Sequence, residues 1–264
     1  MSVTAKKREN YKPLLWTPIN ISLDFQIYQN YTFVTSNILF EKNDQNNIKN
    51  FTLESSIELN GIDLETINLQ VSFDNKPFYN LDIKTIFINN ELISISIPKD
   101  AVQVRILSKV KLYPSDNSSL EGLYESNQML CTQCEPEGFR KITWFPDRPD
   151  CLSIFKVKIE APLSFNTMLS NGNLIDEGIL KDCNDKPIRH FKTWNDPFPK
   201  PSYLFALVVG NLEVTVSNFT TSSNKKINLQ IYTEIGNKHL TGHAMNSLKK
   251  AMDWDERKYG LEYD

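Results

Sequence analysis

The sequence has no surplus of positive charge. Its 29 Lys and Arg face 32 Asp and Glu, a formal charge of −3. Nothing in that balance neutralises a phosphate backbone, so a nucleic-acid partner is disfavoured. It also lacks any apolar run near the ~18–20 residues of a membrane span. The longest strong one, Tyr203 to Val209, is strand-sized, and no membrane partner is expected. The start, Met1 to Pro13, is charged with no apolar stretch behind it. That reads as no secretory signal and a cytoplasmic protein. Cysteine is scarce: Cys131, Cys134, Cys151 and Cys183 are too few for a disulfide scaffold. Without secretion, the sequon-like triplets at Asn30, Asn50, Asn117 and Asn218 carry no weight.

What is present is ordinary folding material. With 40% hydrophobic and 23% charged residues, wholesale disorder is excluded. The 264 residues suit one large domain or two smaller ones. Apolar and polar residues alternate through Ile21, Leu23, Phe25 and Ile27, the pattern of a strand with one wet face. The same alternation predicts strands through Ile67, Leu69, Val71 and Phe73, through Ile93, Ile95 and Ile97, and through Val102, Val104 and Ile106. Turn chemistry lies between them at Glu41 to Asn47, Asp74 to Pro77 and Asn89–Asn90. Further strands are expected at Ser153 to Ile159 and Leu163 to Leu169, with a turn at Ser170 to Asn173. Many short strands separated by turns argue for a mainly β protein, an antiparallel sheet or sandwich.

The pattern changes near residue 211. Leu212 to Val216 and Ile227 to Tyr232 read as one more strand pair. Met245, Leu248 and Met252 then fall at i, i+3, i+7, with Ala244 and Ala251 beside them, on one helix face. Lys249–Asp253 and Asp253–Arg257 are i,i+4 pairs, and Gly260 sits where a helix stop belongs. So short a stretch holds little core of its own, which predicts a second domain cut off soon after it begins and an uncovered apolar helix face.

Three features could carry chemistry. His239-Leu240-Thr241-Gly242-His243, with Glu262 nineteen positions beyond His243, reproduces the ligand spacing of a helical zinc site. Position 240 holds Leu where such a motif needs a glutamate base, so surface histidines in a loop and first helical turn are the expectation and no metal site is assigned. Cys131-Thr132-Gln133-Cys134 is a CxxC with no second pair and no βαβ context, which reads as two structural thiols. Third, Gly122 to Asp150 packs Gln133, Glu135, Glu137, Arg140, Asp147, Arg148 and Asp150 among Phe139, Trp144 and Phe145. A walled pocket and an ion-pair-pinned loop both remain open for this stretch.

The third stretch resembles the N-terminal region of the zinc metallo-aminopeptidases of the aminopeptidase N (alanyl aminopeptidase) family, bacterial type. Gln133-Cys134-Glu135 resembles the family's glutamine–x–glutamate segment, and Asp147-Arg148-Pro149-Asp150 the block that follows it. Met168 to Asn173, Trp194 to Val208, and the tail from Ser247 to Asp264 match further blocks in order. The resemblance implies a β-rich N-terminal domain over 1–211 and the start of a thermolysin-like catalytic domain over 212–264, cut off before the zinc motif. It also implies a substrate-binding pair: Glu135 for the free α-ammonium of a peptide and Gln133 for the first side-chain pocket. No catalytic residue is expected, because the family's Gly-Ala-Met-Glu-Asn loop, HExxH and third ligand are not present. Zinc is implied for the full-length enzyme and none for this chain. The partners implied are peptides with a free amino terminus and the missing catalytic domain. Whether the chain is itself an enzyme stays open, beside the alternative of a non-catalytic peptide- or protein-binding β module.

Overall fold

The computed structural model describes residues 7–43 and 55–263, so the end of the turn expected at Glu41 to Asn47 lies outside the described residues. The chain is mostly β. In order it forms β1 (Trp16–Ile27), β2 (Thr32–Lys42), β3 (Ser55–Asn60), β4 (Glu65–Phe73), β5 (Tyr79–Asn80), a short α1 (Ile83–Ile86), β6 (Phe87–Asn89), β7 (Leu92–Ile97) and β8 (Gln103–Leu112). There follow β9 (Gly122–Ser126), β10 (Met129–Gln133), β11 (Ser153–Pro162), β12 (Thr167–Ser170), β13 (Asn173–Lys181), β14 (Pro187–Lys200) and β15 (Leu207–Gly210). The last elements are β16 (Leu212–Thr220), β17 (Lys226–Glu234) and α2 (Gly242–Tyr259).

Two compact units result, one of residues 1–163 with 168–209 and one of 164–167 with 210–264. The first is built on an eight-stranded sheet of order β13-β14-β11-β1-β2-β8-β4-β5, with a four-stranded sheet β12-β15-β10-β9 and a three-stranded sheet β3-β7-β6. The large sheet is antiparallel except where β1 runs parallel to β11. Period-two burial builds its core: Ile21, Leu23, Phe25 and Ile27 of β1 are buried, as are Phe155, Val157 and Ile159 of β11. Phe139 joins them, with ring centroids 5.1 Å from Phe145 and 5.3 Å from Phe205.

Three expectations about strands need correction. Ile67 is 51% exposed because a bulge between Thr66 and Asn68 leaves it without a partner on β8 and throws it out of phase. Val102 is 67% exposed and precedes β8, its N–H held by Asp74 Oδ1 at 3.0 Å. Leu163 lies in a turn, and the strand expected from it begins only at Thr167.

In the second unit β16 and β17 form a hairpin, and α2 ends at Gly260 in the left-handed conformation, φ 66°. The expected helix face is only partly bare. Met245 is 6% exposed in a small core with Ile227 and Leu229, flanked by Met252, Phe219 and Ile231. Leu248 remains 38% exposed. Asp253 pairs with Arg257 at 2.6 Å, whereas Lys249 Nζ donates instead to Ser217 Oγ at 2.7 Å. Asn166 closes the unit by donating to the Leu212 carbonyl at 3.2 Å and accepting its N–H at 3.0 Å.

Candidate functional site

The hairpin of β9 and β10 delivers Gln133 at the end of β10, and the chain then folds back at once. Gly138 N–H closes the turn on the Cys134 carbonyl at 2.9 Å. A Cβ on Gly138 would strike the Gln133 carbonyl oxygen and lie 2.9 Å from the Cys134 Cα. Only glycine allows this close backbone approach. Gly122, at φ 71°, faces the same crossing. Glu135 sits at the tip, exposed, with its bond to Pro136 cis. Gln133, also exposed, donates through Nε2 to the Glu135 carbonyl oxygen at 2.6 Å, so the two residues are tied together.

Behind the tip the charges interlock. Arg140 Nε and main-chain N–H both reach Asp147 Oδ2 at 3.1 Å, and Arg140 Nη2 reaches the Asp147 carbonyl at 3.1 Å. Arg140 also pairs with Glu137 at 3.2 Å. The buried Asp147 takes a further bond from Ser202 Oγ at 2.5 Å, and its N–H donates to Asn60 Oδ1 at 3.2 Å. Arg148 grips Asp150 at 2.7 and 2.8 Å, and Tyr11 donates to the same carboxylate at 2.9 Å. The Arg148 guanidinium, with Tyr11, holds the Asp150 carboxyl below its ordinary value.

Of the two readings left open for this stretch, ion pairs pin it. Phe139, Trp144 and Phe145 are buried in the core of the first unit, and among the described residues Leu123 and Lys141 of this stretch line a pocket of about 310 Å³. The carboxylate of Glu135 is the exception to the interlocking: it has no hydrogen bond or ion pair among the described residues. Glycine and the partners Asn60 and Ser202 were missed in the sequence, the latter two because they lie 87 and 55 positions from Asp147.

The histidine motif does not assemble on one helix. His239 belongs to a 3₁₀ turn, Lys238–Leu240, and His243 to α2. His239 Nδ1 meets the Gly236 carbonyl at 2.9 Å, His243 Nε2 lies 3.4 Å from Ser247 Oγ, and Glu262 accepts from Ser223 N–H at 2.6 Å. Among the described residues no group of three or more His, Cys, Asp and Glu fits a metal ion. Cys131 and Cys134 are unbridged, and burial raises the Cys134 thiol far above its usual range, which suits a structural thiol and not a redox nucleophile.

Residues 8–204 match the family model of the Peptidase M1 N-terminal domain. The chain belongs to the peptidase M1 family. Its M1 relatives include aminopeptidase N of Haemophilus influenzae, 39% identical over 267 residues, covering 100% of this chain and 28% of that protein. Aminopeptidase N of Escherichia coli is 36% identical over 98% of this chain and 28% of its own length. Among solved structures, Legionella pneumophila aminopeptidase A, in complex with aspartic acid, superposes at TM-score 0.83 with 30% identity, over 98% of this chain and 29% of that one. The M1 chain described here therefore spans little more than a quarter of the length of these relatives, and corresponds to an N-terminal portion. Among its described residues no helix is long and apolar enough to cross a membrane.

Proposed function

We propose that this chain is the N-terminal part of a zinc aminopeptidase that removes N-terminal residues from peptides, and that Glu135 anchors the substrate's α-ammonium. The observation that carries the reading is the unpartnered, exposed carboxylate of Glu135 on a turn whose flanks are held by Gln133 and Arg140. The Glu135 main chain is tied through Gln133, which leaves its carboxylate free to meet an ammonium, and a charge-assisted bond is about twice as strong as a neutral one. It rewards a free amino terminus and leaves internal peptide bonds unanchored. Gln133, tied to the Glu135 main chain, lines the pocket for the first side chain. The division runs between a β-rich domain over 1–211 and the beginning of a metallopeptidase domain over 212–264.

On this reading metal chemistry, water activation and stabilisation of the oxyanion fall to residues outside this segment; among the described residues no His, Cys, Asp and Glu group fits a metal ion. This segment binds and orients, and is inactive alone. The peptides it meets are cytoplasmic. The family match favours this reading over a non-catalytic β module.

In the aminopeptidase that carries this segment, Glu135→Gln should lower kcat/KM for aminoacyl-anilides about 10–100-fold, the loss of a charge-assisted bond. Thermal unfolding should hardly move, since the carboxylate has no partner to lose. Unchanged kinetics would refute the assignment. Chelator-sensitive release of amino acids by the purified 264-residue chain would refute its inactivity.

A further inference from the structure

A second polar site lies on the face of the eight-stranded sheet opposite its core, and Glu135 is not among its lining residues. Cross-strand register puts Asp24 between Lys158 of β11 and Thr35 of β2, and Ser22 between Lys156 and Asn37. These side chains point opposite to the buried Ile21, Leu23 and Phe25, as period-two geometry requires. Together with Asp176 and Thr193 they line a groove of about 460 Å³, a size suited to a small ligand. Its floor is unsatisfied. Asp24 Oδ1 and Asn37 Oδ1 are shielded from solvent and have no hydrogen-bond partner, a state that costs free energy unless something supplies donors. Burial raises the Asp24 carboxyl above its ordinary value, Lys158 and Lys109 pulling against it and Glu160 adding to it. Neither Lys156 nor Lys158 makes a close ion pair: Lys158 Nζ lies over the Phe191 ring at 5.2 Å and attracts Asp24 only at longer range.

The groove thus pairs orphan acceptors on its floor with unpaired ammonium groups at its side. We infer that it binds a zwitterion, a free amino acid or dipeptide, whose ammonium donates to Asp24 and Asn37 while its carboxylate meets Lys156 and Lys158. Both charges are needed. An amine without a carboxylate leaves the lysines unpaired, and a carboxylate without an amine leaves the acceptors orphaned. This requirement separates the groove from Glu135, which reads the amine alone.

The test uses the full chain carrying Glu135→Gln, which removes the other ammonium acceptor. Glycylglycine is titrated by calorimetry or NMR, with glycinamide, acetate and N-acetyl-glycylglycinamide as comparisons. Saturable millimolar binding of glycylglycine is expected, at least about tenfold tighter than any of the other three. Lys156→Met with Lys158→Met, changes at the groove side that leave the core untouched, should weaken it about tenfold or more while the circular dichroism spectrum is retained. Absence of saturable glycylglycine binding overturns the inference. So does equal binding of the acetylated amide, or binding indifferent to loss of both lysines.

Discussion

Between Gly122 and Asp150 every other acidic side chain has a partner: Glu125 with Ser115, Glu137 with Arg140, Asp147 with Arg140 and Ser202, Asp150 with Arg148 and Tyr11. Those bonds do structural work, and the Glu135 carboxylate alone among these acids has none, as the proposed anchoring role requires. The difference is measurable. Asp147→Ala should cost about 3 kcal/mol or more, because it strands the Arg140 guanidinium and frees Ser202 and the Arg140 N–H, whereas Glu135→Ala should change chemical denaturation by less than about 0.5 kcal/mol. The cysteines make a second contrast. Burial raises the Cys151 thiol to about 12 and the Cys134 thiol further still, while Cys183 is exposed. Timed alkylation at pH 8 should therefore label Cys183 first and reach Cys134 and Cys151 only on unfolding. The sign of the linkage follows. An acid whose folded pKa is raised contributes stability that is complete below its unfolded pKa, near 9.0, and is lost as pH climbs toward 12. Asp150, whose carboxyl is lowered, loses its contribution in the opposite direction, as pH falls below its ordinary 3.8.

At the scale of elements, the turn after β10 depends on a residue that a sequence does not flag. Gly138→Ala should push Gln133 and Cys134 apart, since the added Cβ meets backbone and not a movable side-chain end. It should weaken binding of free amines as much as Glu135→Gln does and lower the melting temperature besides, a combination that calorimetry separates from a pure charge effect. Alternation in β1, β7 and β8 was legible because ladder pairing there is regular and one face is buried. It misled at Ile67 because a bulge is a property of two strands, and the partner is more than 40 positions away. The roles proposed for Gln133 and Glu135 rest on family resemblance: spacing alone did not distinguish Glu135 from the paired acids beside it. Asn60 and Ser202 carried no local signal at all. The histidine spacing does not carry onto one helix, because a 3₁₀ turn separates His239 from α2.

For the whole molecule, the two units differ in what holds them. The first buries strands on a continuous aromatic and aliphatic core, whereas the second rests on Ile227, Leu229 and Met245 with three flanking side chains. Local stability should follow: amide exchange in β16, β17 and α2 should be faster than in β1, β2 and β11, and Met245→Ala, at a cost of about 2–3 kcal/mol, should accelerate exchange in the second unit selectively. Uniform exchange across both units would contradict that division of stability. The turn proposed to anchor the amine lies in the better-held unit and is fixed by ion pairs and glycine.

The most direct measurement is an NMR titration of the 264-residue chain with leucinamide and with N-acetyl-leucinamide. The account predicts that leucinamide shifts the resonances of Gln133, Glu135 and Gly138 saturably, and that the acetylated compound does not. Glu135→Gln should abolish the response. Equal responses to both compounds, or a leucinamide response that survives Glu135→Gln, would contradict it.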